Sequence, residues 1–248
     1  MNLPTAKTAF WRKHMSRLLK ILPLTLALAA LSFFTVNCGS GNQAQIRVVH
    51  AISDGPAMDI DINGTKIFTN IGFGSFLPSS GYTKVASGSV TIAALNTGTT
   101  TQVLSSTGSL SGSAQYTVVL SGFNANANAA VIRDTNTAPT SGNVEFRIID
   151  ASPSGPASVD VYVVPPGTDI TTVTPQISGL GSTSQASSYV SLTATTYTVI
   201  VTTAGNKTPI VNQNYTLVSG QIRTLVLLDN LGGGNGMNTL PLELSDLN

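Results

Sequence analysis

The sequence predicts an all-β protein: two tandem immunoglobulin-like β-sandwich domains after a cleaved N-terminal signal. The first observation is composition, since 42% of the residues are hydrophobic and fall in short β-branched runs, while only 9% are charged. The second is the spacing of Gly, Pro, Asn and Ser clusters, which recur about every 8–12 residues as in sandwich proteins. The third is an internal repeat, described next.

One stretch of the sequence occurs twice. Residues 46–64 read IRVVHAISDGPAMDIDING, and residues 146–164 read FRIIDASPSGPASVDVYVV, at an offset of 100 residues. The aligned positions retain the same charged and turn-forming residues, Arg47 with Arg147 and Gly55 with Gly155, and one extra residue in the second copy then aligns Asp59 with Asp160. The repeat predicts two domains of a size that can each bury a core.

The repeat and the linkers set the boundaries. We expect a signal peptide over 1–37, a tether over 38–44, and sandwich repeats over 45–137 and 142–248. The polar run between the repeats is short, so the two domains are expected to touch.

The first repeat begins with a strand over 45–51 and a turn over 53–56, which should make the next strand its neighbour. Met58, Ile60 and Ile62 then alternate with polar residues, which places the apolar set on the core face. Asn63-Gly64 is the strongest hairpin signal in the chain.

Further strands are expected downstream. Tyr82–Ala86 and Ser89–Leu95 read as a strand pair, Gln115–Ser121 as a buried strand, and Ala129–Arg133 as its neighbour. In the second repeat Leu225–Leu228 aligns with Thr117–Leu120, and Leu240–Leu244 alternates like an edge strand.

The N-terminus predicts export. Five basic residues precede residue 21, and the uncharged apolar run ILPLTLALAALSFFTV follows over 21–36. A positive region followed by an apolar region of this length is typical of a secretory signal. A stable membrane span is the alternative, but it needs about 20 apolar residues.

Cys38 follows the apolar run and precedes Gly39 and Ser40, and it is the only cysteine in the chain. This arrangement resembles a bacterial lipoprotein signal, although Thr35 and Asn37 depart from the usual pattern. The resemblance implies that Cys38 is lipidated, that a membrane is the partner through this anchor, and that the protein is exported to the cell envelope. Gly39, in place of an aspartate, favours the outer membrane or cell surface.

Charge argues against nucleic acid as a partner. After Cys38 the chain has seven basic and eleven acidic residues, a net charge of −4. Phosphate backbones are bound by clustered Lys and Arg, and the scattered basic residues of this chain form no such cluster.

The motif RVVHAxxDGPAxDIxING over 47–64 resembles the start of domain-of-unknown-function family 4397. The strand pair over 82–95 and the strand YTVV over 116–119 are similar to that family, and the second repeat fits it as well. The resemblance implies secreted or surface-anchored tandem β-sandwiches and carries no catalytic residue or cofactor.

Candidate chemistry is sparse. His50 is the only histidine after the leader, so a serine triad or zinc site would lack partners. Asp59, Asp61 and Asn63 match the opening of a calcium loop but lack its closing Glu, and their spacing also suits a strand. Asp54 and Asp59 are the alternative of a glycosidase acid–base pair, which the second repeat does not retain.

We expect instead that Arg47 pairs with Asp59 and Arg147 with Asp160, as buried structural ion pairs. The sequence therefore favours a non-enzymatic membrane-anchored lipoprotein without a cofactor, with a structural, adhesion or ligand-binding role. A glycan or a surface protein is the expected ligand. The alternative is a secreted carbohydrate-binding or calcium-dependent binding module.

Overall fold

The computed structural model describes residues 42–182, 185–230, 236–238 and 241–247, and the chain from Gly41 onward forms one compact unit. The predicted signal peptide and Cys38 lie outside the described residues. Within them the protein is all-β, and the only helical segment is a 3-10 turn at Asn124–Asn126. The prediction of an all-β sandwich protein is confirmed. No helix in the described part of the chain is long and apolar enough to span a bilayer.

The first repeat forms two sheets. Its nine strands are β1 (Ala44–Ile52), β2 (Met58–Ile62), β3 (Thr65–Ile71), β4 (Ser75–Leu77), β5 (Thr83–Val85), β6 (Gly88–Asn96), β7 (Gln102–Leu110), β8 (Gln115–Gly122) and β9 (Asn128–Asp134). The inner sheet has the order β4-β1-β8-β9, with β5 also paired to β1. The outer sheet has the order β3-β2-β6-β7.

The second repeat has the same plan. Its strands are β10 (Asn143–Asp150), β11 (Ser158–Val164), β12 (Ile177–Gly181), β13 (Gln185–Ala186), β14 (Val190–Thr193), β15 (Thr196–Thr203), β16 (Pro209–Thr216), β17 (Ile222–Leu227) and β18 (Leu242–Leu247). The inner sheet is β13-β10-β17-β18, with β14 also paired to β10, and the outer sheet is β12-β11-β15-β16. Matching strand orders support duplication of one fold. That each repeat folds as an independent domain stays a prediction.

Among the described residues, three of the four buried apolar clusters lie between the four sheets. One core lies within each sandwich, and a third joins the two inner sheets through Val49, Ala51, Val119, Ile149, Ala151, Val226, Leu228 and Leu244. The inner strands β1 and β8 pair in parallel and are buried on both faces. Adjacent apolar residues such as Val48 and Val49, or Val118 and Val119, follow from this, since a strand covered on both faces has no solvent side that alternation would make polar.

The strand β2 behaves as its alternation predicts, with Met58, Ile60 and Ile62 in the core. It forms a hairpin with β3, and Asn63 and Gly64 take φ values of 52° and 76°, which fits a type I′ turn. The hairpin prediction is confirmed.

Two predicted connections are wrong. β1 lies in the inner sheet and β2 in the outer sheet, so the turn between them carries the chain across the sandwich rather than joining neighbours. Likewise β5 pairs with β1, whereas β6 pairs with β2 and β7. Period-two alternation identifies a strand but carries no information about which sheet it enters.

Candidate functional site

Two arginines and two aspartates meet where the inner sheets face each other; we call them the four-charge cluster. They are Arg47 on β1, Asp134 on β9, Arg147 on β10 and Asp246 on β18. Arg47 binds Asp246 closely and lies 3.6 Å from Asp134, whereas Arg147 binds Asp134 closely and lies 3.5 Å from Asp246. Each arginine therefore binds the last strand of the other repeat most closely.

Threonines support both halves of the cluster. Arg47 Nε donates to Thr117 Oγ1 at 2.9 Å, and that hydroxyl donates to Asp134 at 2.6 Å. Arg147 and Thr224 make the equivalent bonds at 2.9 and 2.6 Å, the second to Asp246. Since each carboxylate accepts bonds from several donors, the burial of these charges is compensated.

Two tyrosines close the cluster. Tyr82 donates its hydroxyl to Asp134 and Tyr189 donates to Asp246, each at 2.7 Å. Their rings lie 5.1 Å and 4.5 Å from the guanidinium carbons of Arg47 and Arg147. Burial raises the pKa of both tyrosines above the usual range, so both remain donors. Burial alone would lower the pKa of Arg147, but Asp134 and Asp246 outweigh it and raise that pKa.

The expected pairs Arg47–Asp59 and Arg147–Asp160 are corrected by this geometry. Both arginines are buried as predicted, at 1% exposure, but their partners differ because β1 and β2 occupy different sheets. Asp59 instead accepts from Lys66 Nζ at 2.7 Å and from two backbone amides, which lowers the pKa of its carboxyl. Asp160 accepts from the amides of Gly179 and Gly205, both at 2.8 Å.

Sequence reasoning missed both aspartates of the cluster. Asp134 directly follows the predicted strand Ala129–Arg133, and Asp246 lies beyond the predicted last strand Leu240–Leu244. A signal was present: each is an acidic residue at the end of the final strand of its repeat. The alignment of Thr117 with Leu225 was also off by one, since β1 and β10 place Thr117 and Thr224 opposite the two arginines.

The calcium candidates do not converge. Asp59 is held by Lys66, and Asn63 Oδ1 accepts from the amide of Thr91 at 2.8 Å. Asp61 lies between them on β2, an extended strand rather than a curled loop. Within the described ranges no three His, Cys, Asp or Glu residues are placed to hold a metal ion.

His50 is buried at the far end of β1 and bonds only to backbone. Its Nε2 lies 2.8 Å from Pro56 O, and the amide of Ile52 donates to Nδ1 at 3.2 Å. These bonds fit the tautomer protonated at Nε2. Burial lowers the pKa of His50, which keeps the ring neutral.

Asp150 takes the place of His50 in the second repeat. Its Oδ1 accepts from the amide of Ser152 at 3.1 Å, whereas Oδ2 is buried without a partner among the described residues. Burial, with a smaller contribution from Asp229, raises the pKa of Asp150 to about 7. Asp229 is itself saturated by the hydroxyls of Ser53, Ser152 and Ser154.

Two cavities open near these elements, each of about 370 Å³. The first, which we call the junction pocket, lies between the repeats. Its walls are Arg47, Phe76, Ser79, Ser80, Gly81, Arg223, Glu243 and Ser245. The second, the loop pocket, lies on the outer sheet of the second repeat. Its walls are Pro166, Gly167, Thr168, Asp169, Thr198, Ile200, Asn212 and Asn214.

Comparisons with known proteins give two kinds of match, one to solved structures and one to a family model. No curated protein matches the sequence. A family 26 carbohydrate-binding module, CBMbc of Eubacterium rectale Amy13K in complex with maltoheptaose, is 13% identical over 79% of this chain and 97% of that chain, with a TM-score of 0.26. A family 41 carbohydrate-binding module from streptococcal virulence factors, described for α-glucan recognition, is 10% identical over the same shares, with a TM-score of 0.27.

Both similarities are too weak to identify a shared site. The family model described as "Domain of unknown function (DUF4397)" matches residues 44–162, which is the first repeat together with the chain as far as Tyr162 in β11 of the second.

Proposed function

We propose that this protein is a non-enzymatic component of the cell envelope, held to a membrane through a lipid on Cys38. Its paired sandwiches then serve a structural, adhesion or ligand-binding role at that surface. The observation that carries the proposal is the use of the four-charge cluster, whose buried groups join the two repeats.

General acid–base or nucleophilic catalysis needs a titratable group within hydrogen-bond reach of a substrate. His50, the sequence's best catalytic candidate, is 0% exposed, and both its ring nitrogens face backbone partners. The four-charge cluster is also buried, and its groups are bonded to one another. These residues support the fold in both repeats, which favours binding over catalysis.

The anchor is supported by the sequence around Cys38. An acyl chain contributes about 0.8 kcal/mol per buried CH₂, and a single chain holds a protein only marginally. Several chains on one cysteine would hold it firmly. The tether to β1 is short, since β1 begins at Ala44.

Fractionation of cells that express Cys38→Ser tests the anchor. We expect the variant in the soluble fraction and the parent protein with the membranes. Ser40→Ala is the matched control, because it alters the same segment without removing the acylated residue, and it should stay with membranes. A Cys38→Ser protein that remains membrane-bound contradicts the lipoprotein proposal.

A secreted carbohydrate-binding module is the second candidate, and the loop pocket favours it. The pocket is lined by the carboxylate of Asp169, the amides of Asn212 and Asn214, and threonine hydroxyls, beside the apolar Ile200. These carboxylate, amide and hydroxyl groups can donate to and accept from sugar hydroxyls. A glycan array with and without calcium tests this candidate: a calcium-independent glycan signal that Asn212→Ala abolishes supports it, and no signal contradicts it.

A further inference from the structure

Arg223 and Glu243 form a charged pair that only the second repeat has. By strand register, Arg223 on β17 corresponds to Tyr116 on β8, and Glu243 on β18 corresponds to Val131 on β9. Tyr116 and Val131 belong to the core of the first repeat. The second repeat thus has two charges at a corner where its counterpart is apolar, in a chain with few charges.

The contacts that Arg223 makes within the fold do not explain why a charged residue stands at this position. Its Nε lies 3.2 Å from Gln221 Oε1 and 3.7 Å from Glu243 Oε1. Its two terminal nitrogens have no hydrogen-bond partner among the described residues. The side chains of Arg223 and Glu243 are 21% and 46% exposed, and exposed pairs contribute only about 0–1 kcal/mol to stability. The guanidinium therefore has donor capacity that the fold leaves unused.

The opposite wall of the junction pocket comes from the first repeat. Phe76 on β4 and the following residues Ser79, Ser80 and Gly81 line this side. They offer an aromatic side chain, two hydroxyls and a residue without a side chain. Arg47 also lines the pocket, but Asp246 already neutralises it. Arg223 is consequently the one basic group in this wall set that is available to a ligand.

We propose that the junction pocket binds a sugar acid of the hexuronic class, one monosaccharide residue at a time. The terminal nitrogens of Arg223 would take the carboxylate as a bidentate pair. Glu243 and the two serines would bind ring hydroxyls, and Phe76 would cover the apolar ring face. A cavity of about 370 Å³ lies at the lower end of the range for ligand pockets, which suits one sugar residue.

Glu243 narrows the ligand class. A carboxylate beside the arginine repels the doubly charged phosphate and sulfate ions more strongly than a uronic acid, which carries one negative charge and several hydroxyl donors. The proposal rests on the proposed function in its ligand-binding form, and it names the ligand.

Titration of the purified full chain with D-glucuronate, D-glucose and acetate, followed by NMR chemical shifts, tests the assignment. We expect glucuronate to bind with a Kd of about 1 mM or tighter, and glucose and acetate each to bind at least about tenfold more weakly. Glucose binding as tightly as glucuronate would overturn the role of Arg223. Acetate binding as tightly would overturn the role of the hydroxyl-binding wall.

Variants locate the site. Arg223→Gln should weaken glucuronate binding at least about tenfold, whereas Arg133→Gln, an exposed arginine on β9, should leave it unchanged. Melting curves for both variants should match the parent, which separates loss of binding from loss of fold. Unchanged binding in Arg223→Gln, or no binding to the parent, overturns the inference. Either result leaves the proposed envelope role intact, because that role is tested by Cys38→Ser fractionation.

Discussion

Arg147 is a buried cation whose compensation comes mostly from the other repeat. Its guanidinium binds Asp134, and the guanidinium carbon lies over the ring of Tyr189, 4.5 Å from the ring centroid. Arg147→Met should destabilise the protein by about 3–5 kcal/mol, because it removes the closest cation from the buried carboxylate of Asp134. Urea denaturation followed by circular dichroism measures the loss.

Double variants identify the partner. Arg147→Met with Asp134→Asn should recover part of the loss, since the stranded charge is then removed. Arg147→Met with Asp160→Asn is the control and should be additive, because Asp160 bonds to amides of its own repeat. An additive result with Asp134→Asn, or a loss below about 1 kcal/mol for Arg147→Met alone, would contradict the cluster as described.

Asp150 predicts a pH dependence of stability. The unfolded pKa of an aspartate is about 3.9. Folding raises that of Asp150 to about 7 by burial, so the folded state holds the proton more tightly. Stability from this group is therefore greatest below about pH 4, falls as pH rises to about 7, and is constant above that.

Asp150→Asn should remove this slope and raise stability at pH 8 by about 1–3 kcal/mol, since a neutral amide needs no proton to be buried. Urea midpoints at pH 5 and pH 8 give the comparison. Asp169→Asn, which replaces an exposed aspartate, should leave the slope in place. Equal midpoint changes in parent and Asp150→Asn between the two pH values would show that Asp150 is ionised in the folded protein.

For individual residues, the sequence predicts which arginines are buried but not which groups they bind. An arginine at the same position of both repeats, in a chain with few charges, is a local signal of burial. The side chains of Arg47 and Arg147 agree with it, since each residue is 1% exposed. The partners Asp134 and Asp246 come from strands about 90 and 200 residues away from Arg47. A one-residue slip in the alignment of β8 with β17 also hid Thr224, because such a slip reverses every side chain.

Among the elements, the β2–β3 hairpin depends on its turn. Gly64 has a φ of 76°, and a Cβ placed there would meet no atom within 4 Å. Gly64→Ala should therefore cost about 1–2 kcal/mol through backbone strain alone. Gly72→Ala is the matched control: its surroundings are equally open, its φ is not in the left-handed region, and its stability should match the parent or exceed it. Equal urea midpoints for the two variants would contradict this reason.

Local patterns predicted the elements better than their connections. Alternation predicts β2, and the apolar run Val118–Leu120 predicts β8, whose residues Tyr116–Ser121 are all buried. The pairing of β5 and β6 was missed because the chain crosses between sheets at Ala86 and Ser87, and no local pattern distinguishes a crossing from a hairpin. The strand β7, Gln102–Leu110, gives little signal in the sequence, because its Ser and Thr residues break the apolar pattern.

For the molecule as a whole, the two inner sheets meet as self-similar surfaces. Arg47 contacts Asp246 as Arg147 contacts Asp134, and the third apolar core draws on β1 and β8 from one repeat and β10 and β17 from the other. This reciprocal pattern resembles the isologous contact of a symmetric dimer, here within one chain. Each repeat therefore supplies the carboxylate that binds the buried arginine of the other repeat.

Fragments 44–137 and 142–248 test this interdependence. Each should show β-type circular dichroism, because each has its own sandwich core, but each should melt below the intact protein since its inner sheet is uncovered. Mixing should give a 1:1 complex with part of the stability restored, and Arg47→Met in the first fragment should weaken that complex, because Asp246 of the second then lacks its closest cation. Size-exclusion chromatography and thermal melts measure both effects. Fragments that melt like the intact chain and do not associate would make the contact between repeats incidental, whereas fragments that stay unfolded even when mixed would mean that the repeats share one core.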